Sequence, residues 1–262
     1  MCTIVVLHHV HPRFALIVAA NRDELFARRA TAPARHGEAL YGLDLEKGGT
    51  WMGATKNGLF VGLTNQRSYD PPDRNLRSRG EIVRAALETA SVAGVEALLA
   101  SLDSREVNSF NLIYGDGEAL GVAYARKDHG RVELERLPPG LHVLPNDRID
   151  APFFAWKSAR IRALVEPHAG APWPALRESL VRALADHERE PLEHIEEPPA
   201  GSRFDRAFAR ELTAICVHTP HYGTCSSAVC AIEDGKLAHY LFAPGAPCRD
   251  GAFSDLAPLL ES

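Results

Sequence analysis

The chain has 262 residues, 45% of them hydrophobic, and a formal net charge of −5; this is enough to bury one substantial core, and residues 1–262 read as a single domain. An acidic balance without a basic patch leaves no footprint for a phosphate backbone, so nucleic acid is not an expected partner. The opening run TIVVL is short and lacks a basic flank, no window approaches the roughly 18 to 20 apolar residues of a membrane span, and the five cysteines form no C-x-x-C pair, so free thiols in the cytoplasm are expected.

Along the chain, residues 3–9 and 14–20 read as buried strands joined by VHPR, and the polar run NRDE is expected to end the second of them. Residues 50–55 and 59–65 read as a hairpin whose turn, KNG, carries an Asn-Gly signal. SRGEIVRAALETA and GVEALLASL show helical spacing, the first opened by Ser78 ahead of Glu81 as in a capping box. FNLIYGDGEALGVAYAR and VELERLPPGLHVLPND return to strands, FFAWKSARIRALVE and WPALRESLVRALADHE are amphipathic helices, and ELTAICVHT with SSAVCAIEDGKLAHYLF close the chain as strands. Residues 190–206 are the most polar and least periodic stretch. Sheet, helices, sheet, helices and sheet in succession predict an α+β layered fold rather than a doubly wound parallel one.

The first hairpin has a chemical consequence. With its turn centred on His11 and Pro12, opposed residues have numbers summing to about 23, so Cys2 faces Asn21, or Ala20 or Arg22 after a one-residue shift; opposed side chains lie within about 5 Å. Aminopeptidase removal of Met1, which precedes a small residue, leaves a thiol and an α-amine on Cys2. The amine's reference pKa of about 7.7 to 8.0 lets it act as a general base without a histidine, the N-terminal-nucleophile arrangement. Arg22 is expected to lower the thiol pKa, and Asp23 to orient the amine. Charge directly after FALIVAA is costly unless it is paired or solvated by a cleft, and an ordinary solvated strand end is the plainer alternative.

Six motifs in order, CTIVVL with ANRDE, GGTWMG, GLFVGLTN, SRGEIV, FNLIYGD and YGT with SS, resemble the NRDE family, also called the transport and Golgi organisation protein 2 family. That family is similar in turn to the choloylglycine-hydrolase branch of the N-terminal-nucleophile hydrolases, which implies a four-layer αββα sandwich. The resemblance implies that Cys2 is the nucleophile and Asp23 orients the amine. The branch's arginine falls on Ala20, which leaves Arg22 to act from another position. The resemblance matches Asn65 to the asparagine ending GLTN and Asn146 in VLPND to the branch's oxyanion asparagine; either amide can donate to a tetrahedral intermediate, an interaction worth roughly 3 to 4 kcal/mol when one such donor is lost. Asn21 is expected in the same cleft, Trp51 in its wall or in the sheet core, and Arg203 in SRF resembles the branch's last active-site arginine. Cys225 stands where the NRDE pattern carries an arginine after YGT, so any substrate anion that arginine holds loses a partner here.

His8, His9 and His11 raise the question of a metal, but only His9 and His11 share a strand face and no second cluster completes a site, so no metal is expected. Two functions of different class follow. One is a hydrolase of C–N amide bonds in small molecules that requires no cofactor. The other is a non-catalytic carrier of haem or an acyl lipid, associations the resemblance brings; the sequence has no C-x-x-C-H attachment site for haem.

Overall fold

The computed structural model describes residues 2–261 apart from 70 and 203. In chain order the elements are β1 (Thr3–His8), β2 (Leu16–Leu25), β3 (Ala34–His36), β4 (Ala39–Tyr41), β5 (Met52–Thr55), β6 (Phe60–Asn65), α1 (Arg79–Glu88) and α2 (Val92–Ala100). There follow β7 (Phe110–Gly115), β8 (Leu120–Ala125), β9 (Val132–Arg136), β10 (Gly140–Leu144), α3 (Ala155–Val165) and α4 (Trp173–Leu184). The chain closes with α5 (Arg206–Glu211), β11 (Tyr222–Glu233), β12 (Lys236–Pro244), α6 (Pro247–Asp250) and β13 (Ser254–Asp255). One antiparallel sheet runs β10-β1-β2-β11-β12-β13 and the other runs β3 to β9 in chain order.

Three apolar clusters stack the layers. Ile4, Val6 and Val18 of the first sheet meet Phe60, Ile113 and Val122 of the second, filling the space between them. The outer face of the second sheet packs Val61 and Leu112 against Ile82 and Val83 of α1 and Leu99 of α2. The outer face of the first packs Val5 and Ile17 against Ile161 of α3 and Leu180 of α4. The molecule is therefore an αββα sandwich. A strand covered on both faces reads as an unbroken apolar run, which is why TIVVL and LIVAA lack the alternation of a half-exposed strand. Among the described residues no helix is long and apolar enough to cross a membrane.

Several expectations need correction. NRDE does not end its strand: β2 continues to Leu25, paired with Tyr222–Ser227 of β11, because the polar side chains find partners on both sides of the sheet. The β1–β2 register is the one-residue-looser alternative, with Thr3 facing Asn21 and Ile4 facing Ala20, which sets Cys2 toward Arg22. ELTAICVHT is not a strand; α5 ends within it and an irregular run leads into β11. Ser78 is the N-cap of α1, but its side chain makes no capping bond, and Glu81 pairs with Arg77 at 3.5 Å instead.

Two motif glycines explain a close crossing. A Cβ on Gly49 would stand 2.6 Å from the carbonyl carbon of Gly80, and the Thr50 N–H donates to the Gly80 carbonyl at 3.1 Å. GGTW and SRGE thus meet backbone to backbone, which sets the first turn of α1 against the approach to β5.

Candidate active site

All the strands that carry the site open at one end of the sandwich. β1 begins there, and β2, β6 and β10 finish there, because each is antiparallel to its neighbour. A cavity of about 860 Å³ fills this end, and its lining includes Cys2, Arg22, Asp23, Asn65, Asn146 and Trp51. The structure thus brings together most of the side chains singled out from the sequence.

The alternation of β1 and β2 assigns the sides. Thr3 and Asn21 face the α3–α4 layer while Ile4 and Ala20 face the second sheet, so Cys2 and Arg22 stand on the inter-sheet side. Burial pushes the Cys2 thiol pKa up, outweighing the Asp23 backbone amide and the Arg22 charge, both of which favour the thiolate. Arg22 does favour the thiolate as expected, but burial outweighs it. The Arg22 guanidinium lies over the Trp51 ring, 4.8 Å from its centroid, and donates to the Arg28 carbonyl at 3.3 Å. Trp51 is therefore both cavity wall and cation platform, and it packs on the inter-sheet core.

Asp23 is buried and accepts from the Thr224 hydroxyl at 2.7 Å. Burial raises its pKa, opposed by the charge of Lys157 and by the Thr224 bond. Lys157 is only 2% exposed, donates to the Thr3 hydroxyl at 3.3 Å, and has its pKa lowered by burial against the favourable charges of Asp23 and Cys2. A buried lysine, a buried carboxyl and a thiol thus share one corner, where the charges of Asp23 and Cys2 favour the protonated lysine and that of Lys157 favours the ionised carboxyl.

Asn146 is 2% exposed and its amide donates to the Asn65 backbone carbonyl at 2.7 Å, tying the end of β6 to the chain after β10. Asn21 is different. Its amide donates to the carbonyls of Leu184 and Ile215 at 2.8 and 3.0 Å, and its oxygen accepts from Ser227. The cavity lining does not include it, so the expected substrate contact is corrected to a brace between β2 and the α4 layer. Arg203 lies outside the described residues. Cys225 sits at the register slip of β11, points at the carbonyls of Glu24 and Gly223, and lines a separate cavity of about 390 Å³.

Sequence reasoning missed Lys157, Thr224 and Arg79. Lys157 heads the row 157, 161, 165 whose other members are core residues of α3, so helical spacing alone put a charge on a buried face. Thr224 belongs to YGT, which matters because β11 pairs it directly with Asp23. Arg79 enters the cavity from the first turn of α1, where burial brings its pKa down to about 10. The wall opposite is aromatic, with Phe153, Phe154, Trp156 and Phe208. Arg67 stacks on Phe153 at 3.8 Å. His11 is spent on its turn, accepting from the N–H groups of Arg13 and Phe14.

A model of the family described as Transport and Golgi organisation 2 matches residues 1–241. The chain is 33% identical over 239 residues to the transport and Golgi organization protein 2 homolog of Bos taurus, covering 86% of this chain and 84% of that one. It is 25% identical over 270 residues to the Drosophila melanogaster protein of that name, covering 92% and 91%. Among solved structures it is similar to penicillin V acylase from Agrobacterium tumefaciens, with TM-score 0.46, 14% identity, and 93% and 83% of the two chains covered. It is also similar to a variant conjugated bile acid hydrolase from Clostridium perfringens, with TM-score 0.48, 12% identity, and 97% and 92% covered.

Proposed function

The chain belongs to the Transport and Golgi organisation 2 family, and from the corner that joins Cys2, Asp23 and Lys157 we propose that this member is an N-terminal-nucleophile hydrolase of C–N amide bonds in small molecules. The observation that carries the reading is that Cys2 and the buried Asp23 and Lys157 line one cavity.

The reaction begins once Met1 is removed and Cys2 carries the free α-amine. The amine takes the thiol proton while the sulfur attacks the amide carbon, and the oxygen's developing charge is met by the side-chain amides of Asn65 or Asn146. The proton passes to the leaving nitrogen, the C–N bond breaks, and an amine departs. Water then attacks the thioester, giving a carboxylic acid and restoring the thiol. Asp23 holds the amine in place and Lys157 offsets the carboxylate's charge. The aromatic wall fits an apolar acyl group, and Arg67 and Arg79 fit a carboxylate, so N-acyl amino acids are the first substrates to screen.

One observation favours a second reading. Burial raises the Cys2 thiol pKa, which leaves little thiolate at neutral pH in a chain that retains Met1. A carrier for a haem or acyl-lipid ligand uses the same cavity without turnover. The deciding experiment compares protein trimmed of Met1 with untrimmed protein. The hydrolase reading expects faster iodoacetamide labelling at Cys2 and new amidase activity after trimming, both lost in Cys2→Ala. Equal labelling, no turnover, and retained haem or acyl-CoA binding in Cys2→Ala would replace it with the carrier.

A further inference from the structure

Outside the cavity, His187, Cys216, His218 and Cys248 bring one donor atom each to within 4.8 Å of one another. None of them lines the cavity beside Cys2. The expectation that no second cluster of His and Cys exists is corrected by tertiary structure: the four residues come from the chain after α4, the run into β11, and α6. We propose that they form a tetrahedral zinc site.

The distances carry the argument. Zinc bonds of about 2.3 Å to sulfur and about 2.05 Å to nitrogen imply tetrahedral edges of about 3.8 Å between two sulfurs and about 3.5 Å between sulfur and nitrogen. The two sulfurs of Cys216 and Cys248 are 3.7 Å apart, and Nε2 of His218 is 3.5 Å from the first and 3.2 Å from the second. Three edges of a tetrahedron are thus already set. His187 supplies the fourth corner, its ring centroid 4.9 Å from that of His218. Nδ1 of His187 lies 3.4 Å from the Cys216 carbonyl, the kind of outer acceptor that fixes the tautomer of a metal-bound histidine and leaves Nε2 for the ion.

Local structure explains why the donors converge. Cys216 and His218 are separated by one residue in the irregular run into β11, where His218 bridges to Gly223 and the Cys216 sulfur and His218 Nε2 come within 3.5 Å of each other. Two thiolates and two imidazoles in a closed tetrahedron select zinc over harder cations. Binding displaces the two thiol protons to solvent. The site also braces the catalytic corner, since the Val217 N–H donates to the Thr224 hydroxyl at 2.9 Å and that hydroxyl donates to Asp23.

The test uses the full chain, purified under reductant and then stripped of metal. Zinc titration is expected to saturate at one equivalent per chain, and cobalt(II) to give thiolate charge-transfer bands with the intense d–d absorption of tetrahedral geometry. His187→Ala and Cys248→Ser, both at accessible positions, are expected to fold, shown by unchanged far-ultraviolet circular dichroism, and to lose those bands. Zinc is expected to raise the melting temperature of the parent chain and not of these variants. The proposal is overturned if the reduced parent shows no thiolate–cobalt band, or if the bands persist in Cys248→Ser. It is equally overturned if Cys216 and Cys248 form a disulfide whose reduction yields no zinc uptake.

Discussion

Lys157 is placed by its helix where a charge is costly, and Asp23 is what makes the position tolerable. Lys157→Met leaves that carboxyl with one compensating charge fewer and is expected to lower unfolding free energy by about 3 kcal/mol. The double variant with Asp23→Asn is expected to recover most of the loss while staying inactive, as urea midpoints and turnover will show. Because the folded pKa of Asp23 is raised, its contribution to stability is full below the unfolded value of about 3.9 and declines as pH rises through the folded value. Asp23→Asn should flatten that part of a stability–pH curve. Cys2 is raised as well, so its alkylation rate should climb with pH beyond the ordinary thiol range. Arg22→Met removes a cation that favours thiolate and should move the profile further up; an unmoved profile makes Arg22 purely a partner of Trp51.

Among the elements, β2 shows how a polar run remains a strand. Two of the three residues of NRD are met by side chains of YGTCSS: Tyr222 donates to the Asp23 carbonyl at 2.9 Å, Thr224 to the Asp23 side chain, and Ser227 to Asn21, while Arg22 turns to Trp51 and the Arg28 carbonyl. The two motifs are one structural unit read from two places in the sequence. The Gly49–Gly80 crossing works similarly between β5's approach and α1. Gly80→Ala forces that backbone contact apart, with an expected cost of about 1 to 3 kcal/mol and a weaker grip of Arg79 on cavity anions, read by melting temperature and substrate KM. Helix caps offer a contrast. Ser91 accepts from the Gly94 N–H at 3.1 Å whereas Ser78 makes no side-chain cap bond. Ser91→Ala should therefore cost about 1 kcal/mol, and Ser78→Ala much less, although both sit at helix starts.

For the whole molecule, the two sheets share one core and the cavity occupies the end where that core stops. Phe60 is fully buried between them. Phe60→Ala should cost about 3 to 5 kcal/mol in denaturant unfolding. It should do so without altering the pH profile of Cys2 labelling, since the site lies at the strand ends rather than in the packed middle. A shifted profile would mean that the inter-sheet core itself sets the position of Cys2.

The local signals of the chain determined its layered class, most strands and helices, and the return of NRDE toward Cys2, because apolar runs, turn residues and hairpin geometry act over a few neighbouring positions. Those signals could not show that NRDE stays in the sheet, since its partners in β11 lie some two hundred residues away. They could not tell Asn21 the brace from Asn65 and Asn146 at the cavity, because a one-residue change of register reverses the face. Helical spacing puts Lys157 on the buried face of its helix, but which groups it meets there, like the His187–Cys216–His218–Cys248 cluster, was decided by tertiary structure: a buried charge's partners and a four-cornered donor set depend on which distant segments pack together.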